Sequence, residues 1–265
     1  MGMKQKLIMM VEFARLRQNF QKHFSIMPAL TPELTTTAYR VRHQVYCKEL
    51  GWEAERIDGL ESDAHDHHSL HCLMQAKTSG EFIGCVRLVR SNPDDPEERL
   101  PMEKTCGDKL NRNQLDLLVP DRRELAEISR LGIIAAYRRR PHERDKPAHI
   151  DDSDYGKLSR PRFPYIPFGL NMGMLAMARE EGIDNLLLLT EPTLAIHFVR
   201  LGAKLTPLGD PIEHRGIRLP FLLKVNATIN NFSLIVKPLY RAIADEVHAG
   251  YVARDQGRIM QTRVA

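Results

Sequence analysis

The chain has 265 residues, 43% of them apolar and 27% charged, the balance of a soluble globular protein large enough for one sizeable domain with terminal additions. The net charge of +4 is spread among interleaved acids, and aromatics make up only 6%, so no basic-aromatic platform for nucleic acid is expected. Four widely spaced cysteines without a CxxC pair read as reduced thiols, no apolar run approaches the ~18–20 residues of a membrane helix, and no secretory signal is expected; a cytoplasmic protein follows.

In chain order, residues 5–24 carry apolar positions at helical spacing and predict an amphipathic docking helix. Thr31 to Leu50 predicts a second helix, with Thr31 as N-cap, Pro32 in the first turn and Gly51 as the stop. Arg42 and Tyr46, four apart, then share a face. Glu53 to His68 reads as loop. Ser69 to Ser91 reads as a β-hairpin turning at "KTSGE", where Gly80 can take a positive φ. Residues 92–121 are turn-rich and charged. Glu124 to Tyr137 has a strand-like centre, and the proline-rich, charged stretch 138–165 reads as an insertion or lid. Beyond it come a helix ending at Gly182, a buried strand "IDNLLLLT", a short helix closed by Gly202, two further strands, a helix over 232–250 and a polar tail. This order predicts an α/β domain with a mixed sheet, antiparallel at its front and flanked by helices.

The segment Glu61 to His71 holds four histidines and three carboxylates, the donor types of a metal site. The histidines lack a zinc-like spacing and no cysteine completes a set, so no metal is expected. His71, at a strand start, is a candidate second base or orienting group.

Four separated motifs stand in order: "RHQVYCKELGW" with Arg42, Tyr46 and Trp52; "ESDAHD" with Glu61, Asp63 and Asp66; "GCVRL" with Arg87; and "EISR" with Glu127, Ser129 and Arg130. Together they resemble the acyl-homoserine-lactone synthases, and more closely their relatives the long-chain N-acyl amino acid synthases, including the PEP-CTERM/exosortase-associated acyltransferases. "HDHHSLHCL", "RLGIIAAYRRR" and "LTEPTLAIHFVRLGAKLTPLGDPIEHRGIRLP" support the closer match. The resemblance spans roughly residues 35–226. It implies a GNAT-like fold over 31–226, with an N-terminal helical segment 1–30 and a C-terminal helix and tail 227–265.

The resemblance also implies the reaction: transfer of a fatty acyl group from a phosphopantetheine thioester, on acyl carrier protein or on coenzyme A, to the α-amine of an amino acid. No permanently bound cofactor is implied, and the lipid-like product would give weak membrane association. Alternatives are an acyl-homoserine-lactone synthase using S-adenosylmethionine and a non-catalytic carrier-binding domain. Aminolysis needs a base, and Glu127 among Leu125, Ala126 and Ile128 is the candidate, with Ser129 beside it. Its competing role is a partner of Arg87 or Arg130, the latter requiring a bulge. Arg42, Arg87 and Arg130 pair internally with Glu61, Asp63 and Asp66, or one of them grips the acceptor carboxylate. Trp52 walls the acceptor pocket or packs the core. Arg138, Arg139 and Arg140 are candidates for the donor phosphate or the acidic carrier, or else form a solvated charge run.

Overall fold

The computed structural model describes residues 15–95, 97–138, 156–157, 160–161 and 165–264. They form α1 (Leu16–His23), β1 (Phe24–Pro28) and α2 (Pro32–Arg42), which runs into a π-helical turn (His43–Glu49). Next come β2 (Ser69–Ala76), β3 (Phe82–Arg90), α3 (Pro101–Cys106), α4 (Arg112–Leu118) and β4 (Leu125–Ile133). The two-residue strands β5 (Gly156–Lys157) and β6 (Arg160–Pro161) follow, then α5 (Tyr165–Glu180), β7 (Asn185–Thr190) and α6 (Pro192–Leu201). The chain ends with β8 (Leu205–Pro207), β9 (Ile212–Glu213), β10 (Ile217–Lys224), α7 (Val225–Asn231) and α8 (Lys237–Val264).

One eight-stranded sheet, ordered β1-β2-β3-β4-β7-β10-β8 with β9 beside β10, organises these elements. Its ladders are antiparallel except β4–β7. The mixed α/β architecture expected from sequence, antiparallel at its front, is therefore the observed one. The hairpin β2–β3 turns at Gly80 (φ 73°), as its sequence predicts.

The two faces of the sheet carry separate cores. On one, α5 crosses β1 and β2, and Gly169 and Gly173 let it lie close: a Cβ at Gly169 would sit 2.6 Å from Met74 Cε, and one at Gly173 2.6 Å from Cys72 Sγ. The other core gathers Val89, Leu125, Leu187 and Leu222 under α3 and α4, which supply Met102, Cys106 and Leu115. Residues 92–121, read as turns, thus contain two short helices that close this face.

Of the helix predicted over 5–24 the described residues show α1, residues 5–14 lying outside them, and the chain turns at Phe24 into an edge strand on β2, Phe24–Pro28. Its exposed side is closed by α8, whose Glu246 accepts the Ile26 N–H at 2.7 Å. The tail expected after 250 continues α8 as helix to Val264. No helix of the described residues is long and apolar enough to cross a membrane. Most of the 138–165 insertion lies outside the described residues.

Candidate active site

The parallel ladder between β4 and β7 runs only from Leu125↔Asn185 to Ile128↔Leu188. β4 continues to Ile133, whereas β7 stops at Thr190 and the chain leaves in α6. The sheet is split at this point, and among the described residues no strand ladder runs along the β7-facing edge of β4 beyond Ile128. A bulge reinforces the split. Arg87 pairs Ser129 while Cys85 pairs Gly132, so Arg130 and Leu131 together oppose Val86. Arg130 takes a left-handed φ of 52°, uncommon for a side chain of this kind.

A cleft of about 1130 Å³ opens at the split, with Tyr46, Trp52, Glu127, Ser129, Arg130 and Arg218 in its walls. Behind it lies a narrow apolar pocket between α5 and the sheet, lined by Phe168, Met172, Leu175 and Phe232 among others. Ile128, Asn171, Leu188 and Phe198 face both spaces. The polar cleft and the apolar cavity are separated only by these shared residues.

The four motifs meet beside the cleft. The π-helical turn widens the end of α2, with the Leu50 N–H reaching Val45 O at 3.0 Å. Arg42, wholly buried, donates through Nε to Glu61 and through Nη1 to Asp66 Oδ1 at 2.6 Å. Arg87 donates through Nη1 to Asp63 Oδ1 at 2.7 Å and Asp66 Oδ1 at 3.0 Å, and through Nε to Ser129 Oγ at 3.0 Å. Arg130 donates to Glu61 and Asp63, each at 3.3 Å, and stacks over Tyr46 at 5.5 Å. The neighbouring arginines hold Asp66 and Asp63 below the usual carboxylate range against the opposing effect of burial. Internal pairing, one of the two roles open for these arginines, is what the geometry displays.

Glu127 stands apart from this network. Its carboxylate is buried, and Oε2 accepts the Met102 N–H from the first turn of α3 at 2.6 Å. Burial drives its pKa up to about 8, outweighing that hydrogen bond and the pull of Arg87. Neither Arg87 nor Arg130 is its hydrogen-bond partner among the described residues; Met102 is. The bulge in β4 is present, but it turns Arg130 toward Glu61 and Asp63.

Trp52 sits over Tyr46 with ring centroids 6.0 Å apart, because the Trp52 and Glu53 N–H groups both bond Tyr46 O, at 2.8 and 3.1 Å. Arg215, in the β9–β10 turn, stacks on Trp52 at 4.5 Å and donates to Glu53 Oε1 at 3.1 Å.

Arg138 is not presented as an anion contact. It is buried and its Nη2 is engaged by Glu49, which also accepts the Ala135 N–H. Arg139 and Arg140 lie outside the described residues. His71 is buried, its pKa pushed down to about 3 by burial and by Arg42, and it packs edge-on to Tyr39 away from the cleft walls. His67 and His68 contact each other at 2.9 Å, and among the described residues no three His, Cys, Asp or Glu side chains converge as a metal requires. The sequence reading missed Met102, Glu53, His214, Arg215 and Arg218; the last three fall within "GDPIEHRGIRLP", quoted only for its resemblance.

A family model for the acetyltransferase (GNAT) domain matches residues 41–144, which contain every motif residue from Arg42 to Arg130. The chain carries a GNAT domain. Acyl-homoserine-lactone synthases of Aeromonas salmonicida and Aeromonas hydrophila are each 34% identical to it over 62 residues, 23% of this chain. That homologous stretch spans 30% of those curated relatives' length. Among solved structures, TofI in a ternary complex with an inhibitor and MTA aligns with a TM-score of 0.51 at 16% identity, covering 81% of this chain and 96% of the other. FeeM, an N-acyl amino acid synthase from uncultured soil microbes, aligns with a TM-score of 0.50 at 13% identity, covering 80% and 95%. Both likenesses extend the fold assignment past the GNAT-domain match to the strands and helices after residue 144.

Proposed function

We propose that this chain is an N-acyltransferase that moves a fatty acyl group from a phosphopantetheine thioester, carried on acyl carrier protein, to the α-amine of an amino acid. The observation that carries the reading is the placement of a buried carboxyl with a raised pKa in a polar cleft that abuts an apolar cavity across a split in the sheet. A thioester reaction joining a lipid tail to a polar amine requires both environments within one acyl-carbonyl's reach.

In this reading the acyl chain occupies the apolar cavity and the carbonyl carbon rests at Ile128–Ser129. The β7-facing edge of β4 offers main-chain N–H groups to the developing oxyanion. The amine nitrogen attacks the carbonyl carbon, a C–N bond forms as the C–S bond breaks, and the amine proton passes to ionised Glu127 directly or through water. The thiolate leaves on the phosphopantetheine arm and takes up a proton from solvent. Ser129, whose Oγ accepts from Arg87 Nε at 3.0 Å, lines the cleft beside Glu127 as the candidate hydroxyl of this reading. Arg139 and Arg140 stay candidates for contact with the acidic carrier.

The test is mass spectrometry of lipid extracts from bacteria expressing the chain, against empty vector. Acyl chains amide-linked to an amino acid support the reading. The 62-residue match favours a second one, lactone synthesis from S-adenosylmethionine, and acyl-homoserine lactones in the extract would install it instead. Purified protein supplied with acyl carrier protein or coenzyme A thioesters then separates the donors.

A further inference from the structure

Two arginines of the cleft wall, Arg215 and Arg218, lie outside the motif network. Arg42, Arg87, Arg130 and Arg215 are paired with Glu53, Glu61, Asp63 and Asp66, four guanidiniums against four carboxylates. A guanidinium already bound on its carboxylate-facing edge is poorly placed to take a further carboxylate. Arg218 is different. Its Nε donates to His214 O at 2.8 Å, which fixes the plane of the group and leaves the fork of Nη1 and Nη2 directed away from the backbone. Arg218 is ion-paired with Glu191 at 3.7 Å, but unlike the other four it makes no side-chain hydrogen bond to a carboxylate among the described residues.

The register sets Arg218 on the same face as Glu127. Glu127 pairs Leu187, Leu187 pairs Leu222, and Arg218 is four residues from Leu222 along β10. Because β7 ends at Thr190, the gap between upper β4 and Arg218 is cleft rather than strand. The hairpin carrying Arg218 is also locally strained: Arg215 holds a left-handed φ of 54° before Gly216. The His214 pKa is lowered, by burial first and then by Arg215, Arg218 and Arg130, as befits a group among cations.

We infer that Arg218, with Arg215 and His214 of the β9–β10 hairpin beside it, is the seat for the acceptor's carboxylate, and that none of the motif arginines is. This rests on the acyl-transfer reading above and names the acceptor class within it: amines bearing a free α-carboxylate. The carboxylate of such an acceptor would give the Arg218 fork the hydrogen-bonded partner that Glu191, at 3.7 Å, does not provide.

Trp52, the single tryptophan of the chain, lies under Arg215 and reports occupancy by its fluorescence. The probes are N-decanoylglycine and its carboxamide, N-decanoylglycinamide, which share the acyl anchor and differ only in the carboxylate. The full-length wild type should bind the acid at least tenfold more tightly than the amide. Arg218→Gln should lose most of that preference while its affinity for the amide stays near wild type, and Arg215→Gln should lose part of it. Equal binding of the two probes by wild type, no binding of either, or a preference that survives Arg218→Gln would overturn the assignment. The product test is independent: amide products with no carboxylate preference remove the seat and leave the reaction, whereas preference without products removes the reaction and leaves the seat.

Discussion

Glu127 in β4 closes the first turn of α3 by accepting the Met102 N–H at 2.6 Å. A central-strand carboxyl therefore anchors a six-residue helix too short to stand by itself, and that helix in turn keeps water from one side of the carboxyl. Removal from water is what raises the pKa to about 8.

This fixes the pH dependence of the proposed chemistry. Below pH 8 the carboxyl is mostly protonated and idle as a base, so the acyl-transfer rate should climb with pH and level off above about 8. Glu127→Gln should lose about a hundredfold or more and lose the inflection near 8, keeping only the rise that comes from deprotonation of the acceptor amine itself. Stability has the opposite sign. A folded pKa raised above the unfolded value contributes stability at low pH that is lost as pH rises from the ordinary glutamate value of 4.5 through about 8. Melting curves between pH 5 and 9 should therefore show wild type weakening with pH relative to Glu127→Gln; parallel curves would mean an ordinary, water-exposed carboxyl.

Asp66 joins two buried arginines, at 2.6 and 3.0 Å, and also accepts the Asp63 N–H at 2.7 Å. Asp66→Asn leaves Arg42 and Arg87 short of a counter-charge in the interior and should cost about 3–5 kcal/mol in denaturant unfolding. Since the Asp66 pKa is lowered in the fold, its contribution is present above the unfolded carboxylate range and fades as pH falls below about 4. The stability gap between wild type and variant should shrink in acid; a gap constant with pH contradicts the charge network.

Close packing of α5 gives a prediction free of any functional assumption. In Gly173→Ala the new methyl would stand 2.6 Å from Cys72 Sγ and 3.0 Å from Ile26 Cγ2, so the helix must lift from β1 and β2. The expected loss is about 1–3 kcal/mol by urea titration. A neutral result would indicate that α5 packs more loosely than drawn.

The hairpin, the β4 strand, α5 and β7 were legible because each is long, periodic and bounded by local turn chemistry. The split in the sheet was not: it depends on β7 stopping at Thr190 while β4 continues, a difference between two segments far apart in sequence. α3 and α4 escaped notice because they are held by distant groups, as when Glu103 meets Arg112 and Arg122. The convergence of Arg42, Arg87 and Arg130 on Glu61, Asp63 and Asp66 was one of the two roles open in the sequence, since arginines in core elements require carboxylate or phosphate partners. Arg218 was not legible there, because only the contrast between its long ion pair with Glu191 and the carboxylate hydrogen bonds of the other cleft arginines makes it stand out.

The apolar cavity bears on which acyl chains are accepted. Leu175 projects into it from α5, is nearly inaccessible to solvent, and is not part of the polar cleft. Leu175→Trp would block this apolar pocket and leave Glu127, Ser129 and Arg218 untouched. Products should then shift to shorter acyl chains, with turnover of a short-chain donor close to wild type; each methylene that no longer fits forfeits about 0.8 kcal/mol of burial. The measurement is the acyl-length distribution of the amide products by mass spectrometry. An unchanged distribution would place the acyl chain elsewhere and detach the cavity from the reaction, even with Glu127 confirmed as the base.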